Sequence, residues 1–348
     1  MEIKSLRELS LNITEPEYRD IDAISYSMLS TFQREGFRNI SHLYDRKSSP
    51  SLTFGSIVDT MLTDGMDEFE RKFIVCEFPE LSDSLKVIAD CLVAMGGDVP
   101  FEELSDSLID SVCVQNNYYK ADKYKNYRIK NVRENCGYYY KLWQTAKGRT
   151  VISQKDYDDA LNCMGELKTN PYTKYYFTDN PFEDIERLFQ LKFMAEFNGI
   201  PIKCMPDLVI IDHTNKEILP CDLKTTSSPE EVFGEHSFYK WRYMYQAQMY
   251  TYIMQEVIKN DPYFKDFKIK SYRFIVINRN TLSPLVWHYD RNFSCTDITD
   301  NNGDVIPAWR KVLEELNYYR EYYKKNDTYP KYPYGLVIRD NMVDVPKF

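Results

Sequence analysis

Met205-Pro-Asp-Leu-Val-Ile-Ile-Asp212, followed after a polar turn by Ile218-Leu-Pro-Cys-Asp-Leu-Lys-Thr-Thr226, decides how this chain is read. Leu208-Val-Ile-Ile211 is a short apolar run rich in β-branched residues, and Asp212-His-Thr-Asn-Lys-Glu217 carries turn chemistry. The pattern predicts a hairpin of two buried strands. Asp222 and Lys224 stand two apart on the second strand, so they leave the same face. With Asp207 at the start of the first strand, two carboxylates and an ammonium converge. Such a group is able to hold a hard divalent cation and organise a water, the minimum for metal-assisted phosphodiester hydrolysis.

Outward from the hairpin, strand patterns cover Ile185 to Phe193, Ile200 to Lys203, Tyr272 to Ile277 and Pro284 to Tyr289. Amphipathic helices are expected over Leu52 to Leu62, Asp156 to Thr169, Trp241 to Ile258 and about Pro307 to Lys324. Ser25 or Ser27 is placed to cap a further helix whose Met28, Leu29 and Phe32 face inward. Residues 67 to 150 read as mostly helical and charged. The order of elements predicts an α/β fold with a mixed sheet flanked by helices. Residues 1–150 form a mainly helical portion and 151–348 the strand-rich core, or the whole is one domain. No Gly-rich phosphate loop is present, which leaves nucleotide-driven chemistry unsupported.

With 348 residues the chain is long enough for a sizeable core or two lobes. No run of 18 apolar residues occurs, which argues against a membrane span, and the first residues lack the apolar core of a signal peptide. Eight cysteines are scattered singly without a Cys-x-x-Cys pair, as expected of reduced thiols in a cytoplasmic compartment. That scatter also argues against a structural zinc or an iron–sulfur cluster.

A net charge of −9 is unusual for a protein that grips phosphates, so charge distribution matters more than the sum. Lys120 to Arg133 holds six basic residues and one acid among tyrosines. It reads either as a solvated helix face or as a DNA-tracking surface. His213, His236 and His288 show no paired ligand spacing and read as surface or core residues.

Pro206-Asp207, Asp222-Leu-Lys-Thr-Thr226 and Tyr245-Gln-Ala-Gln-Met-Tyr250 together resemble the PD-(D/E)XK nuclease superfamily, most closely its RecE-type phage exonucleases. Asp-x-Lys alone occurs often by chance; the order and the fifteen-residue step between the aspartates make the pattern specific. Ser25-Tyr-Ser-Met-Leu29 is similar to the family's entry motif, and Phe54-Gly-Ser-Ile-Val-Asp59 to its Gly-x-x-x-His helix. The similarity spans most of the chain.

The resemblance implies a restriction-endonuclease-like core with an extra helical amino-terminal portion. It implies Asp207 and Asp222 as carboxylates for one or two Mg²⁺ or Mn²⁺ ions, with the Leu223 carbonyl as a further ligand. Lys224 matches the residue that orients or deprotonates the attacking water; burial and the neighbouring acids push its pKa in opposite directions. Glu186 resembles the upstream acidic ligand, with Glu183 as runner-up. Gln246 and Tyr250, or Gln248 and Tyr252 at the same spacing, match the helix that contacts DNA near the scissile phosphate. Ser25 and Ser27 join them as substrate-binding candidates. Asp59 departs from the family's histidine and is either a metal ligand or a residue that caps or salt-bridges a helix.

The implied activity is exonucleolytic hydrolysis of linear double-stranded DNA in phage-type recombination or repair, by a ring-shaped homo-oligomer and with a single-strand annealing protein as a possible partner. A structure-specific endonuclease and a catalytically altered DNA-binding scaffold are the alternatives.

Overall fold

Runs of β-branched and aromatic residues bounded by turn formers produce the sheet that the sequence leads one to expect. The computed structural model describes residues 3–43, 45, 49–77, 79–177, 184–290, 297–300, 302–330, 334, 337–339 and 342–344. Glu183 and Cys295 lie outside them. Chain contacts divide the molecule into two units, residues 1–63 with 162–348, and residues 64–161.

The first unit is built on a mixed sheet. Its strands are ordered Pro284–Tyr289, Tyr272–Asn278, Glu217–Thr226, Leu208–Asp212 and Ile185–Phe189, and Lys268–Ile269 adds to the start of Glu217–Thr226. The Tyr272–Asn278 strand runs parallel to Glu217–Thr226, and the remaining neighbours along the main path are antiparallel. Asp212 shapes the tight turn between the two central strands, accepting from the Asn215 backbone N–H (2.8 Å) and side-chain amide (2.8 Å).

The expected strand from Ile185 to Phe193 is broken. It stops at Phe189; Gln190 turns with φ 51°, and Phe193–Phe197 pairs instead with Ile200–Cys204 around Asn198-Gly199. Both turn residues have positive φ, 50° and 76°, as a two-residue hairpin with an Asn-Gly turn requires. Ile24–Ser25 joins this second sheet in parallel.

Tyr243–Ile258 is almost wholly buried: Met244, Ala247, Met249, Ile253 and Met254 share one core with Val209, Ile211, Ile218, Phe274 and Val276. Full burial of such side chains contributes roughly 1.5–3 kcal/mol each. Trp309–Asn326 adds Trp309, Val312, Leu313 and Leu316 to the same core.

Lys203 is a buried charge with a structural duty. Its Nζ donates to the carbonyls of Tyr18, Arg19 and Ile21 at 2.9, 2.9 and 2.8 Å, satisfying the open end of the Glu15–Asp20 helix. Lys203→Met leaves those acceptors without a donor. It is expected to cost about 3 kcal/mol, a few unsatisfied acceptors' worth, measured by urea unfolding. An unchanged midpoint would contradict this role.

The second unit packs Asp83–Gly96, Asp106–Gln115, Lys125–Asn135 and Gly137–Ala146 around Leu85, Ile88, Leu92, Ile109, Val132 and Tyr140. A short parallel pair, Phe73–Val75 with Thr150–Ile152, accompanies them. The boundary drawn near residue 150 from helix content differs from this division. The Pro50–Thr63 helix packs with the sheet-bearing unit, and the excursion out of that unit begins at Asp64.

Among the described residues no helix is long and apolar enough to cross a membrane. Seven cysteines lie there, and none is in a disulfide among the described residues.

Candidate active site

Strand register gathers the site. Leu208 pairs with Cys221, so Asp207 and Asp222 stand opposite each other and project from one face with Lys224. The Leu223 N–H donates to Asp207 Oδ2 at 2.7 Å, fixing the first carboxylate against the second strand. Asp222 is 1% exposed. One of its oxygens meets the Lys224 ammonium, and the other accepts from Gln246 Nε2 at 2.7 Å.

Helix geometry completes this corner. Gln246 and Tyr250, one turn apart on Tyr243–Ile258, face the strands together. Tyr250 is 8% exposed; burial first, then nearby charges including Asp222 and Asp207, hold its phenol far above the ordinary range. Its place is therefore deep in the wall of the site. The alternative pair points elsewhere: Gln248 Nε2 donates to the Tyr289 hydroxyl at 2.7 Å, and the Tyr252 hydroxyl to the Glu196 carbonyl at 3.0 Å.

The Pro50–Thr63 helix approaches from another side. A Cβ at Gly55 would lie 3.3 Å from Thr225 Oγ1, so glycine lets the helix come close to the Glu217–Thr226 strand. Asp59 follows one turn later and accepts from Gln190 Nε2 at 2.7 Å. Burial, and then the charges of Asp222 and Asp59, push the Asp207 carboxyl well above the usual range; Lys224 and the Leu223 N–H oppose that only in part. Three acids thus crowd one another.

The lysine is held charged. Burial works against its charge, but Asp222, Tyr243, Asp207 and Tyr26 outweigh it and raise its pKa above the ordinary value. Its ammonium also lies 4.9 Å from the centre of the Tyr243 ring. A protonated lysine has three donors and no lone pair, so these neighbours favour Lys224 as a donor over a proton acceptor.

Glu186 is not brought to this cluster. Phe189 pairs with Leu208, and the Gln190 N–H donates to the Asp207 carbonyl at 3.1 Å, so the residue opposite Asp207 is Gln190, just past the strand's end. Glu186 pairs with Ile211, four residues back or roughly 13 Å along a strand. There it meets the Ser5 hydroxyl and, at 3.6 Å, His213 Nε2. Four residues keep the same strand face, so side-chain direction alone did not separate the two positions; pairing did.

Ser25 and Ser27 stay at a helix start. Ser25 Oγ accepts from the Met28 N–H at 3.5 Å and lies 2.9 Å from Ser27 Oγ. The residue between them reaches the site instead. Tyr26 donates to the Trp241 carbonyl at 2.7 Å and faces Tyr243, with Lys224 and Asp222 among its charged neighbours. Gln190, Tyr26 and Tyr243 were not anticipated. Tyr243 stands three residues before Gln246 on the same helix; nothing local distinguishes Gln190 or Tyr26.

Among the described residues no three His, Cys, Asp or Glu side chains stand together in ligating geometry, because each carboxylate is turned onto a protein donor. The donor set nevertheless fits a hard cation. It offers carboxylate oxygens in mutual repulsion, and Gln246 Oε1 is buried beside Asp222 with no hydrogen-bond donor among the described residues.

No family model and no curated protein matches this chain. Among solved structures it is similar to a crystal structure from Eubacterium rectale named "Putative exonuclease", with a TM-score of 0.46 and 13% identity over 91% of this chain and 88% of that one.

Proposed function

We propose that this chain is a Mg²⁺- or Mn²⁺-dependent deoxyribonuclease of the PD-(D/E)XK kind that degrades linear double-stranded DNA from its ends. The observation that carries this reading is the meeting of Asp207, Asp222, Lys224 and Gln246 at one corner of the sheet. Asp207, Asp222 and the Leu223 carbonyl would hold the cation, with Asp59 as a further carboxylate whose charge acts on Asp207. When bound, the ion lowers the pKa of the attacking water and neutralises charge on the phosphate and the leaving oxygen.

The chain's own residues do the rest. Lys224, kept protonated, donates to the water or to a phosphate oxygen and stabilises charge that develops there. Gln246 holds Asp222 in orientation, leaving that carboxylate's direction independent of solvent. Tyr26 and Tyr243 wall the lysine against water, which strengthens each of these interactions. Part of the same proposal is assembly as a homo-oligomer that works beside a single-strand annealing protein in recombination.

End-labelled linear, nicked and covalently closed DNA, each incubated with Mg²⁺, Mn²⁺ or EDTA, tests the proposal. Metal-dependent loss of the linear form with the closed circle intact is expected. Cutting of the closed circle would assign an endonuclease. No cutting of any form would favour a DNA-binding scaffold, a reading to which the neutral Gln190 beside Asp207 lends some support.

A further inference from the structure

Basic residues of the 64–161 unit cluster along the sequence, and Lys125, Arg128, Lys130 and Arg133 among them are paired with acids. Residues 120–149 carry nine Lys or Arg against two acids, although the whole chain is acidic. At the start of this stretch stands a group of tyrosines that the core does not absorb. Tyr119, Tyr124 and Tyr127 are 44%, 40% and 50% exposed. Tyr119 lies edge-on to Tyr124 and Tyr127 at centroid distances of 5.6 and 4.9 Å, and Lys123 Nζ sits 4.9 Å from the Tyr124 ring.

The display is built in, at a cost. Asp106–Gln115 ends in a loop where Asn117 and Tyr119, both non-glycine, adopt φ of 58° and 44°. Such left-handed backbone is disfavoured and persists only where the surroundings impose it. Arg128 imposes it here. It is 1% exposed, its Nη1 donates to the carbonyls of Tyr119 and Ala121 at 2.8 and 3.0 Å, and its Nε donates to Asp110 at 2.6 Å. A buried arginine therefore holds the loop that presents the rings. Beside them lies an open groove of about 420 Å³, lined by Ser82, Ser84, Asn116, Asn117, Tyr118 and Tyr119. Its walls offer amides, hydroxyls and ring faces, the groups that take up an unstacked base.

We infer that this face of the 64–161 unit binds single-stranded DNA, with bases stacked on Tyr119 and Tyr127 and the backbone tracked by Lys120 and Lys123. Exposed ring faces select a single strand because bases in a duplex are already stacked, and the lysines complement its phosphates. The inference deepens the nuclease proposal by naming a second contact for a strand of the substrate, but its test involves no cleavage.

The full-length protein in EDTA is titrated into fluorescein-labelled dT20, and anisotropy is followed at two salt concentrations. Tyr119→Ala and Tyr127→Ala are each expected to weaken binding about tenfold. Tyr127→Phe is expected to bind like the wild type, and Lys120→Glu with Lys123→Glu to weaken binding and flatten its salt dependence. Circular dichroism confirms that each variant is folded. Unchanged affinity in the folded alanine variants overturns the inference, as does wild-type protein that does not bind dT20. A 20-base-pair duplex bound as tightly as dT20 overturns the single-strand assignment, and tighter binding of rU20 overturns the choice of DNA. Failure here with intact metal-dependent cleavage leaves the nuclease proposal standing. Inactive protein that still binds dT20 through these tyrosines does the reverse.

Discussion

Asp207→Asn is expected to lower cleavage of linear duplex by about 10³-fold or more while raising the melting temperature of the metal-free protein. The two effects have one cause. Asp207 is a buried carboxyl pushed far above its ordinary range by burial, Asp222 and Asp59. Like charges about 4 Å apart repel by roughly 4 kcal/mol at an effective dielectric near 20, and the asparagine removes one of them without changing side-chain size. On the proposed mechanism, a carboxylate that a cation would need is one the metal-free protein is more stable without, the familiar trade between stability and function. The loss in rate corresponds to roughly 4 kcal/mol of transition-state stabilisation.

The sign with pH follows from linkage. Asp207 has a folded pKa raised above the unfolded value of 3.8. The stability it contributes is fully present below pH 3.8 and is lost as pH rises through its folded pKa. In EDTA the wild type should therefore fall progressively below Asp207→Asn in melting temperature as pH rises above 3.8. Saturating Mn²⁺ should reverse the order, because a ligand that binds only the folded state stabilises it. A variant that melts at the wild-type temperature across this range, with and without Mn²⁺, would show that the acids do not repel and that no cation relieves them.

Lys224→Ala should be equally inactive but move stability the other way. The ammonium is the only cation bonded to Asp222 among the described residues, and that carboxylate is almost fully buried. Removing one partner of a buried pair leaves an uncompensated charge and costs about 3–5 kcal/mol. Urea unfolding in EDTA measures this directly. Mn²⁺ should recover part of the loss by giving Asp222 a new counter-charge, while cleavage stays absent. Restored turnover with metal alone would remove Lys224 from the mechanism. A stability equal to the wild type would mean that the pair is solvated.

The divergent signs of Asp207 and Lys224 are not visible in Pro206-Asp207 and Asp222-Leu-Lys224 as letters. The spacing of two does place Asp222 and Lys224 on one strand face, and the apolar run 208–211 with a polar turn after it does predict the hairpin that sets Asp207 opposite them. Those are local facts, set by the period of a strand and by turn chemistry. Gln246 and Tyr250 are similarly legible, since four residues make one helical face. Choosing them over Gln248 and Tyr252 requires the helix's rotation about its axis, which packing sets. Excursion of residues 64–161 into a separate core was also illegible, because amphipathic helices of either unit carry the same pattern.

What the sequence determined by itself, then, is the hairpin that brings Asp207, Asp222 and Lys224 together, and the helix that faces it. Tertiary structure alone decided which residues surround them. Register set Gln190, not Glu186, beside Asp207. Close packing at Gly55 carried the Asp59 helix to the same corner, and Tyr26 arrived from a distant segment to stand with Tyr243 beside the lysine. Pairing and burial are non-local, and the ionisation of a buried group depends on every charge near it. The candidate site residues are therefore written in order along the chain, whereas the charges they carry come only from the company the fold gives them.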